Sequence, residues 1–323
     1  MKLTRRAFWI AALAAGCSAA AARDSGADPL LVRAPNLGRP STEAYPAPAP
    51  PEDPVQRAVF DRINADRADA GLSPVAWDEA ASRVAERFCA EQVKERTRGH
   101  LLTDGMPPYA RTALAGVFGN QAENVVSWIS SGPKFRETPV ELALAGHASM
   151  LAEVPPADGH RRTILDPHAT HVGIGWAEER GQFRMAQEFL IRRLAQLTLA
   201  HVAEDPSTVL FRGRAQAPYR VDFVTFAREP SPRPLTRAQA NAHTSYTYPS
   251  AGLAYVPEGL KSMQVPGAIT EDRLRLEQNG DFSFRFTPGM AGLWTVTLYT
   301  STGRAKPVPG GLAVLWIERA GTP

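Results

Sequence analysis

Residues 158–176, DGHRRTILDPHATHVGIGW, are the most informative stretch of the chain for its fold. The stretch holds three histidines, His160, His168 and His171. His168 follows an Asp-Pro pair, which favours an exposed bend. Apolar residues alternate over 172–176 and predict a strand, and His171 lies on the opposite parity from them, which favours a structural role. The spacing therefore does not predict a compact three-histidine metal box.

Helical and strand patterns are mixed upstream of this stretch. Val55, Val59 and Ile63 lie on one stripe of a predicted helix. Residues 138–141, Thr-Pro-Val-Glu, form a capping box with proline at the first helical position, which predicts another helix. We therefore expect a mixed α and β domain over residues 55–194.

The C-terminal part of the chain has a strand-rich pattern. An Asn279-Gly280 turn separates two alternating runs, which is a strong hairpin signal. A Thr-x-x-Gln box predicts a short helix over residues 236–242. Aromatic residues at a period of two predict a core, and we see no cluster of chemically reactive groups. Residues 205–319 are therefore predicted to form an all-β sandwich of the immunoglobulin or fibronectin kind.

The N-terminus is typical of an export signal. Residues 1–17 carry basic residues followed by a short apolar run and the order Ala-Ala-Gly-Cys, which resembles a bacterial lipobox with Cys17 as the lipidated residue. The order Thr-Arg-Arg-Ala-Phe resembles a twin-arginine motif. A plain cleaved signal peptide is the alternative. Residues 18–54 are rich in alanine and proline, which predicts a linker.

Charge argues against a nucleic-acid partner. The whole chain has 36 basic and 33 acidic residues, and residues 1–16 hold three of the basic ones and none of the acidic ones. The exported part is therefore balanced and has no basic run to release counterions from nucleic acid. Cys89 is the second cysteine, and its place in an apolar helical pattern predicts a buried residue rather than a nucleophile.

Four short islands in the first domain carry groups suited to chemistry. They are residues 98–100 (RGH), 122–126 (AENVV), 150–153 (MLAE) and 159–161 (GHR). These islands, in this order, resemble the CAP superfamily, named for cysteine-rich secretory proteins, antigen 5 and plant pathogenesis-related proteins. The helical stretch VFDRINADRADAGLSPVAWDEAASRVAERFCAEQ and the motif HLLTDGMPPYAR resemble the same family. The resemblance covers about residues 55–192 and points to its bacterial branch.

The resemblance implies an α-β-α sandwich and a cleft lined by two histidines and two glutamates. His100 and His160 match the histidines, Glu123 matches the glutamate of the family's Gly-Glu-Asn motif, and Glu153 stands where a second glutamate falls. Where family members hold a metal, zinc or another divalent ion lies on the two histidines. The spacing before His160 is longer than in most bacterial relatives, so Asp158 is an alternative to Glu153.

The residue types are consistent with that expectation. Neutral imidazoles are suitable zinc ligands, and a carboxylate beside each histidine would fix its tautomer. The same groups could also serve a hydrolytic zinc site, with Glu123 or Glu153 as the catalytic base.

Three functions remain open from the sequence. The first is a non-catalytic exported protein, lipid-anchored in the cell envelope, that binds a divalent metal and a ligand such as a lipid or envelope component. The second is a metal-dependent hydrolase of peptide or envelope substrates. The third is a structural envelope protein with a vestigial cleft. We favour the first, in a non-catalytic or weakly catalytic form, over an enzyme, which would be a metal-dependent hydrolase.

Overall fold

The chain folds into two sheet-based units. The computed structural model describes residues 30–34, 49–257, 268–269 and 274–319. The predicted export signal and Cys17 lie outside these residues. The helices are α1 (Pro54–Asp69), α2 (Glu79–Glu95), α3 (Pro108–Leu114), α4 (Pro139–Leu151), α5 (Gly159–Ile164) and α6 (Arg237–Ala242). The strands are β1 (Leu30–Arg33), β2 (Ala76–Trp77), β3 (Asn120–Ile129), β4 (His171–Glu179), β5 (Gln182–Ile191), β6 (Leu194–Val202), β7 (Asp205–Ala215), β8 (Arg220–Glu229), β9 (Leu253–Tyr255), β10 (Ala268–Ile269), β11 (Leu274–Leu276), β12 (Asp281–Phe286), β13 (Gly292–Ser301) and β14 (Val308–Arg319).

The first unit is a four-stranded sheet between two layers of helices. Its strand order is β2-β4-β5-β3, so β3 lies at an edge. Side chains of α1 and α4 pack with Val172 and Ile174 on one face. Side chains of α2, including Phe88, pack with Ala186 on the other face. This arrangement is the α-β-α sandwich expected from the sequence.

Local signals set the ends of these helices. The side chain of Asp53 accepts hydrogen bonds from the first turn of α1, and Asp78 does the same for α2. The predicted capping box at α4 is present, since Thr138 and Glu141 each bond the other's backbone N–H. Such caps satisfy N–H groups that have no partner inside the helix.

Two glycines on β4 let α2 lie directly on the sheet. A Cβ atom built on Gly173 would be 2.3 Å from the backbone nitrogen of Ser82, and one built on Gly175 would be 2.1 Å from that of Glu86. Any side chain at these positions would push the helix away. The alternation of Val172, Gly173 and Ile174 thus places bulk on one face and close approach on the other.

The second unit is a β-sandwich of a six-stranded and a four-stranded sheet. The strand orders are β1-β14-β13-β8-β9-β10 and β11-β12-β7-β6. Gly280 has a φ of +87° in the turn between β11 and β12, as the Asn-Gly signal predicts. The side chains of Phe211, Phe226 and Phe284 lie in the core between the sheets.

Two strands lie outside the range expected for the sandwich. Strand β1 falls within the predicted linker of residues 18–54, and its backbone pairs with β14 along one edge. Strand β6 begins at Leu194, before the expected start at residue 205, and pairs with β7. The run Leu-Leu-Val-Arg of β1 is too short to show a periodic pattern. Strand β6 follows β5 with only Arg192 and Arg193 between them, so the boundary between the two units is short.

The two units share an apolar interface. Tyr109, Ala110 and Ala113 of α3 pack with Leu312 and other residues of the six-stranded sheet. Arg193 also bonds the carbonyl of Gly310 through its backbone N–H, at 2.8 Å. The α3 region of the first unit is therefore buried by the second.

The predicted fold class, α+β with a helix-flanked sheet followed by an all-β sandwich, is confirmed. Within the part of the chain described, no helix is both long and apolar enough to cross a membrane.

Gly175→Ala tests the close contact of α2 with the sheet. We expect the free energy of unfolding to fall by about 1–3 kcal/mol, because overpacking a close interface forces the backbone to shift. Urea denaturation followed by circular dichroism measures this change. Gly159→Ala is the matched control, since a Cβ there meets no atom within 4 Å. Equal stability of the two variants would contradict the expectation.

Candidate functional site

His100 and Glu123 form a buried pair. Nδ1 of His100 lies 2.9 Å from Oε1 of Glu123, and His100 is only 6% exposed. His100 follows the end of α2, and Glu123 lies on β3. Burial, assisted by the charge of Arg111, lowers the pKa of His100 to about 4. The imidazole is therefore neutral at pH 7 and donates its Nδ1–H to the carboxylate.

A second buried carboxyl lies opposite Glu123. The antiparallel register of β3 and β5 places Glu123 directly across from Glu188, and both are buried. Arg111 on α3 donates to Oε2 of Glu123 at 2.5 Å, and its guanidinium lies 3.7 Å from the ring centroid of Phe88. Gln121 donates to Oε2 of Glu188 at 2.5 Å.

The surroundings of this cluster favour a proton on Glu188 rather than on Glu123. Burial raises the pKa of both carboxyls, and the charge of Glu123 raises that of Glu188 further, whereas Arg111 opposes the rise at Glu123. Oε1 of Glu188 has no N–H or hydroxyl donor among the described residues. We therefore assign an ionised Glu123, paired with Arg111, and a protonated Glu188 that hydrogen-bonds to it.

His160 and Glu153 form a second pair, which is open to solvent. Both oxygens of Glu153 hold His160: Oε1 lies 2.5 Å from Nδ1, and Oε2 accepts the backbone N–H at 2.9 Å. The side chains are 33% and 24% exposed. Burial raises the pKa of Glu153, but the hydrogen bonds from His160 outweigh this effect and lower the pKa below its usual value. Asp158, the alternative acid, instead pairs with Arg162 at 3.2 Å.

The structure brings the four predicted residues together as two pairs, not as one cluster. Glu123 faces α2 and α3, whereas its neighbour Asn124 faces the other side of the sheet. The amide of Asn124 donates to the backbone carbonyl of His160 at 3.2 Å, which ties α5 to β3. The two pairs thus flank the first residues of the edge strand.

The arrangement does not fit a metal centre with three protein ligands. Among the described residues, no group of three or more His, Cys, Asp or Glu side chains is placed to hold an ion. Glu123 hydrogen-bonds to Nδ1 of His100, and Glu153 hydrogen-bonds to Nδ1 of His160. Within the described part of the chain, nothing hydrogen-bonds to Nε2 of either His100 or His160.

Sequence reasoning missed the groups that enclose His100. Tyr246, from the segment between α6 and β9, lies edge-on to the His100 ring with 4.9 Å between ring centroids. Arg111, Glu188 and Gln121 complete the surroundings of Glu123. The Gln-Glu-Phe order in β5 marks Glu188 as a charged residue in an otherwise buried strand, which is the one signal that could have found it.

Other histidines and Cys89 have structural roles. His147 is buried between Asp66, at 2.8 Å, and Gln187, at 3.1 Å. His168 is exposed in the predicted bend. Cys89 is buried, and its thiol lies 3.3 Å from the carbonyl of Gly175. Burial raises the pKa of this thiol, which is therefore protonated and unreactive.

An open cavity of about 580 Å³ lies beside α5. Its described lining residues include Ala122, Asp158, Arg162 and Thr163, but none of the four residues of the two pairs. The cavity is thus adjacent to the exposed pair rather than built around it.

Glu188→Gln and Glu123→Gln test the proton assignment. Glutamine resembles a protonated carboxyl, so we expect Glu188→Gln to change the free energy of unfolding at pH 7 by less than about 1 kcal/mol. Glu123→Gln should lower it by about 3–5 kcal/mol, because Arg111 loses its buried partner. Urea denaturation measures both. Greater destabilisation by Glu188→Gln would show that the proton is on Glu123.

Comparison with known proteins supports the resemblance seen in the sequence. Residues 60–190 match the model of the CAP family, described as the cysteine-rich secretory protein family. The uncharacterized protein YkwD of Bacillus subtilis is 27% identical over 124 residues, which are 38% of this chain and 42% of YkwD. The match therefore spans less than half of either protein.

Three solved structures resemble less than half of the chain each, at low overall similarity. An extracellular protein with an SCP domain from Bacillus anthracis is 19% identical, with a TM-score of 0.34 over 44% of this chain and 45% of that one. An outer surface protein from Borrelia burgdorferi is 16% identical, with a TM-score of 0.34 over 41% and 88%.

A cysteine-rich secretory protein from Staphylococcus aureus is also 16% identical, with a TM-score of 0.27 over 43% and 40%. The family assignment depends on the family model and the ordered motifs. Over residues 60–190, this chain carries a domain of the CAP superfamily.

Proposed function

We propose that the protein is an exported, lipid-anchored component of the cell envelope that binds a ligand through the His160–Glu153 pair of its CAP domain. The observation that carries this proposal is the two-point hold of Glu153 on His160. A carboxylate at Nδ1 fixes the tautomer and leaves a lone pair on Nε2. His160 is also the more exposed of the two site histidines.

The free Nε2 suits two kinds of ligand. It can accept a hydrogen bond from a hydroxyl or amide group, or it can bind zinc or another divalent ion. An ion on His160 would have one histidine ligand, because His100 lies on the other side of β3, and water would complete its coordination. A catalytic zinc site normally has three protein ligands. We therefore propose ligand binding rather than hydrolysis as the function.

The N-terminal sequence supports anchoring by lipid on Cys17. Strand β1 begins at Leu30, so the twelve residues 18–29 separate Cys17 from the sandwich. A fully extended chain of this length spans about 45 Å. We propose that the sandwich is the membrane-proximal unit and that the CAP domain lies beyond it, next to an envelope partner.

Cys17→Ser tests the anchor. When the full chain is expressed with its own N-terminus in a bacterium that processes lipoproteins, we expect the wild type to enter the detergent phase of a Triton X-114 extraction. The variant should stay in the aqueous phase, because it lacks the acyl chains that bury apolar surface in the bilayer. Cys89→Ser, which alters the buried cysteine, is the matched control. Equal partitioning of all three proteins would overturn the proposal.

Zinc titration tests the ligand-binding site. In calorimetry of the exported chain at pH 7, we expect His160→Ala to abolish the binding heat and His100→Ala to reduce it less, because His100 is enclosed. His201→Ala is the control, since His201 is exposed on the sandwich. An unchanged titration of His160→Ala would contradict metal binding at this pair.

A further inference from the structure

A segment of the second unit lies on the buried half of the candidate site. We define the strap as residues 241–248, Asn-Ala-His-Thr-Ser-Tyr-Thr-Tyr. It starts at the end of α6 and leads toward β9. Its first contact is the side chain of Asn241, which accepts the backbone N–H of Arg98 at 2.8 Å. The carbonyl of His243 then lies against Gly99, where a Cβ atom would be only 2.8 Å away. The strap is therefore held directly beside His100.

Two tyrosines of the strap bind the backbone of β3. The hydroxyl of Tyr246 accepts the N–H of Glu123 at 2.7 Å and donates to the amide oxygen of Gln121 at 3.3 Å. The hydroxyl of Tyr248 accepts the N–H of Gln121 at 3.1 Å and donates to its carbonyl at 2.6 Å. These backbone groups lie on the open edge of β3, where the sheet has no further strand. The hydroxyls thus satisfy groups that a bound ligand or an added strand could satisfy instead.

Ring contacts also hold the strap in place. Tyr246 lies edge-on to His100, and Tyr248 stacks on Tyr109 with 4.5 Å between centroids. Tyr109 in turn donates its hydroxyl to Glu229 at 2.7 Å. Tyr246 therefore limits access to His100, whereas Tyr248 fixes the end of the strap to α3 and to the sandwich.

The surroundings of the strap are suited to local opening. Residues 230–252 join β8 to β9 and contain no strand, with α6 as their one helix. Ala240 is the only fully buried residue among them. The cores of both sheets are formed by other residues, and of the strap only Tyr246 and Tyr248 pack against the apolar interface between the units. Regions with few buried apolar contacts open at lower free energy than the whole domain unfolds.

We propose that the strap is a built-in cover of the His100–Glu123 half of the site, closed in this structure, and that it must leave before His100 can meet a group from solution. The covered state lowers the apparent affinity of any ligand that needs His100 by the fraction of molecules that are open. In this way the strap, which belongs to the second unit, controls ligand access to His100 in the first unit. The proposal concerns access to His100 and does not require zinc binding at His160.

Chemical modification of His100 in the full exported chain tests the cover. Diethyl pyrocarbonate acylates accessible neutral imidazoles, and mass spectrometry of peptides gives a rate for each histidine. Tyr246→Phe keeps the ring and removes the hydroxyl that bonds Glu123 and Gln121. We expect it to raise the modification rate of His100 about 5- to 30-fold, the factor for one or two lost hydrogen bonds.

Controls separate local opening from general loosening. Exposed His201 serves as an internal standard whose rate should stay constant in every sample. Tyr299→Phe is the matched substitution, because Tyr299 stacks on Phe223 in the sandwich, away from the strap. It should leave the rate at His100 unchanged.

The urea dependence of the His100 modification rate distinguishes a strap that opens locally from one that opens only when the whole protein unfolds. If the strap opens alone, little surface is exposed, and low urea should accelerate the modification of His100 only weakly. If His100 reacts only through global unfolding, its rate will follow the urea dependence of unfolding itself. That second result, or an unchanged rate in Tyr246→Phe, would overturn the proposal.

Discussion

The pairing of β3 with β5 is the constraint on which the site depends. Its register sets Glu123 and Glu188 opposite each other in an interior that water does not reach. Two ionised carboxylates in that position would repel strongly, so one proton and one guanidinium must enter with them. Arg111 supplies the positive charge from α3. A one-residue slip would move Glu123 to the other face of the sheet and leave Arg111 buried without a partner.

The same constraint makes the two His–Glu pairs unequal. His100 bonds a carboxylate that already has Arg111 and Glu188 as partners, in surroundings that keep the imidazole neutral well below pH 6. His160 bonds a carboxylate with no such cluster around it, and both groups meet solvent. The first pair is thus enclosed by the protein, whereas the second is accessible from solvent.

Sequence predicted those features that depend on local backbone preference. The capping box at Thr138 and the Asn279-Gly280 turn each specify their structure within a few residues, and both are present. The family resemblance alone predicts Glu153 near His160, with Asp158 as the alternative, and the loop between α4 and α5 places Glu153 there. Glu188 and Tyr246 could not be placed in this way. The role of Glu188 depends on the register of β5 with β3, and that of Tyr246 on contacts made from more than a hundred residues away along the chain. No local pattern encodes either.

The path of the chain joins the two units at the buried half of the site. Because α3 is buried against the six-stranded sheet, Arg111 is positioned by the interface as well as by its own helix. The strap then returns from that sheet to the edge of β3 and covers His100. A shift of the sandwich relative to the first unit would therefore act directly on the hydrogen bonds from Tyr246 and Tyr248 to main-chain groups of β3. The exposed His160–Glu153 pair lies on the other side of β3 and would keep its geometry, so such control acts on one half of the site alone.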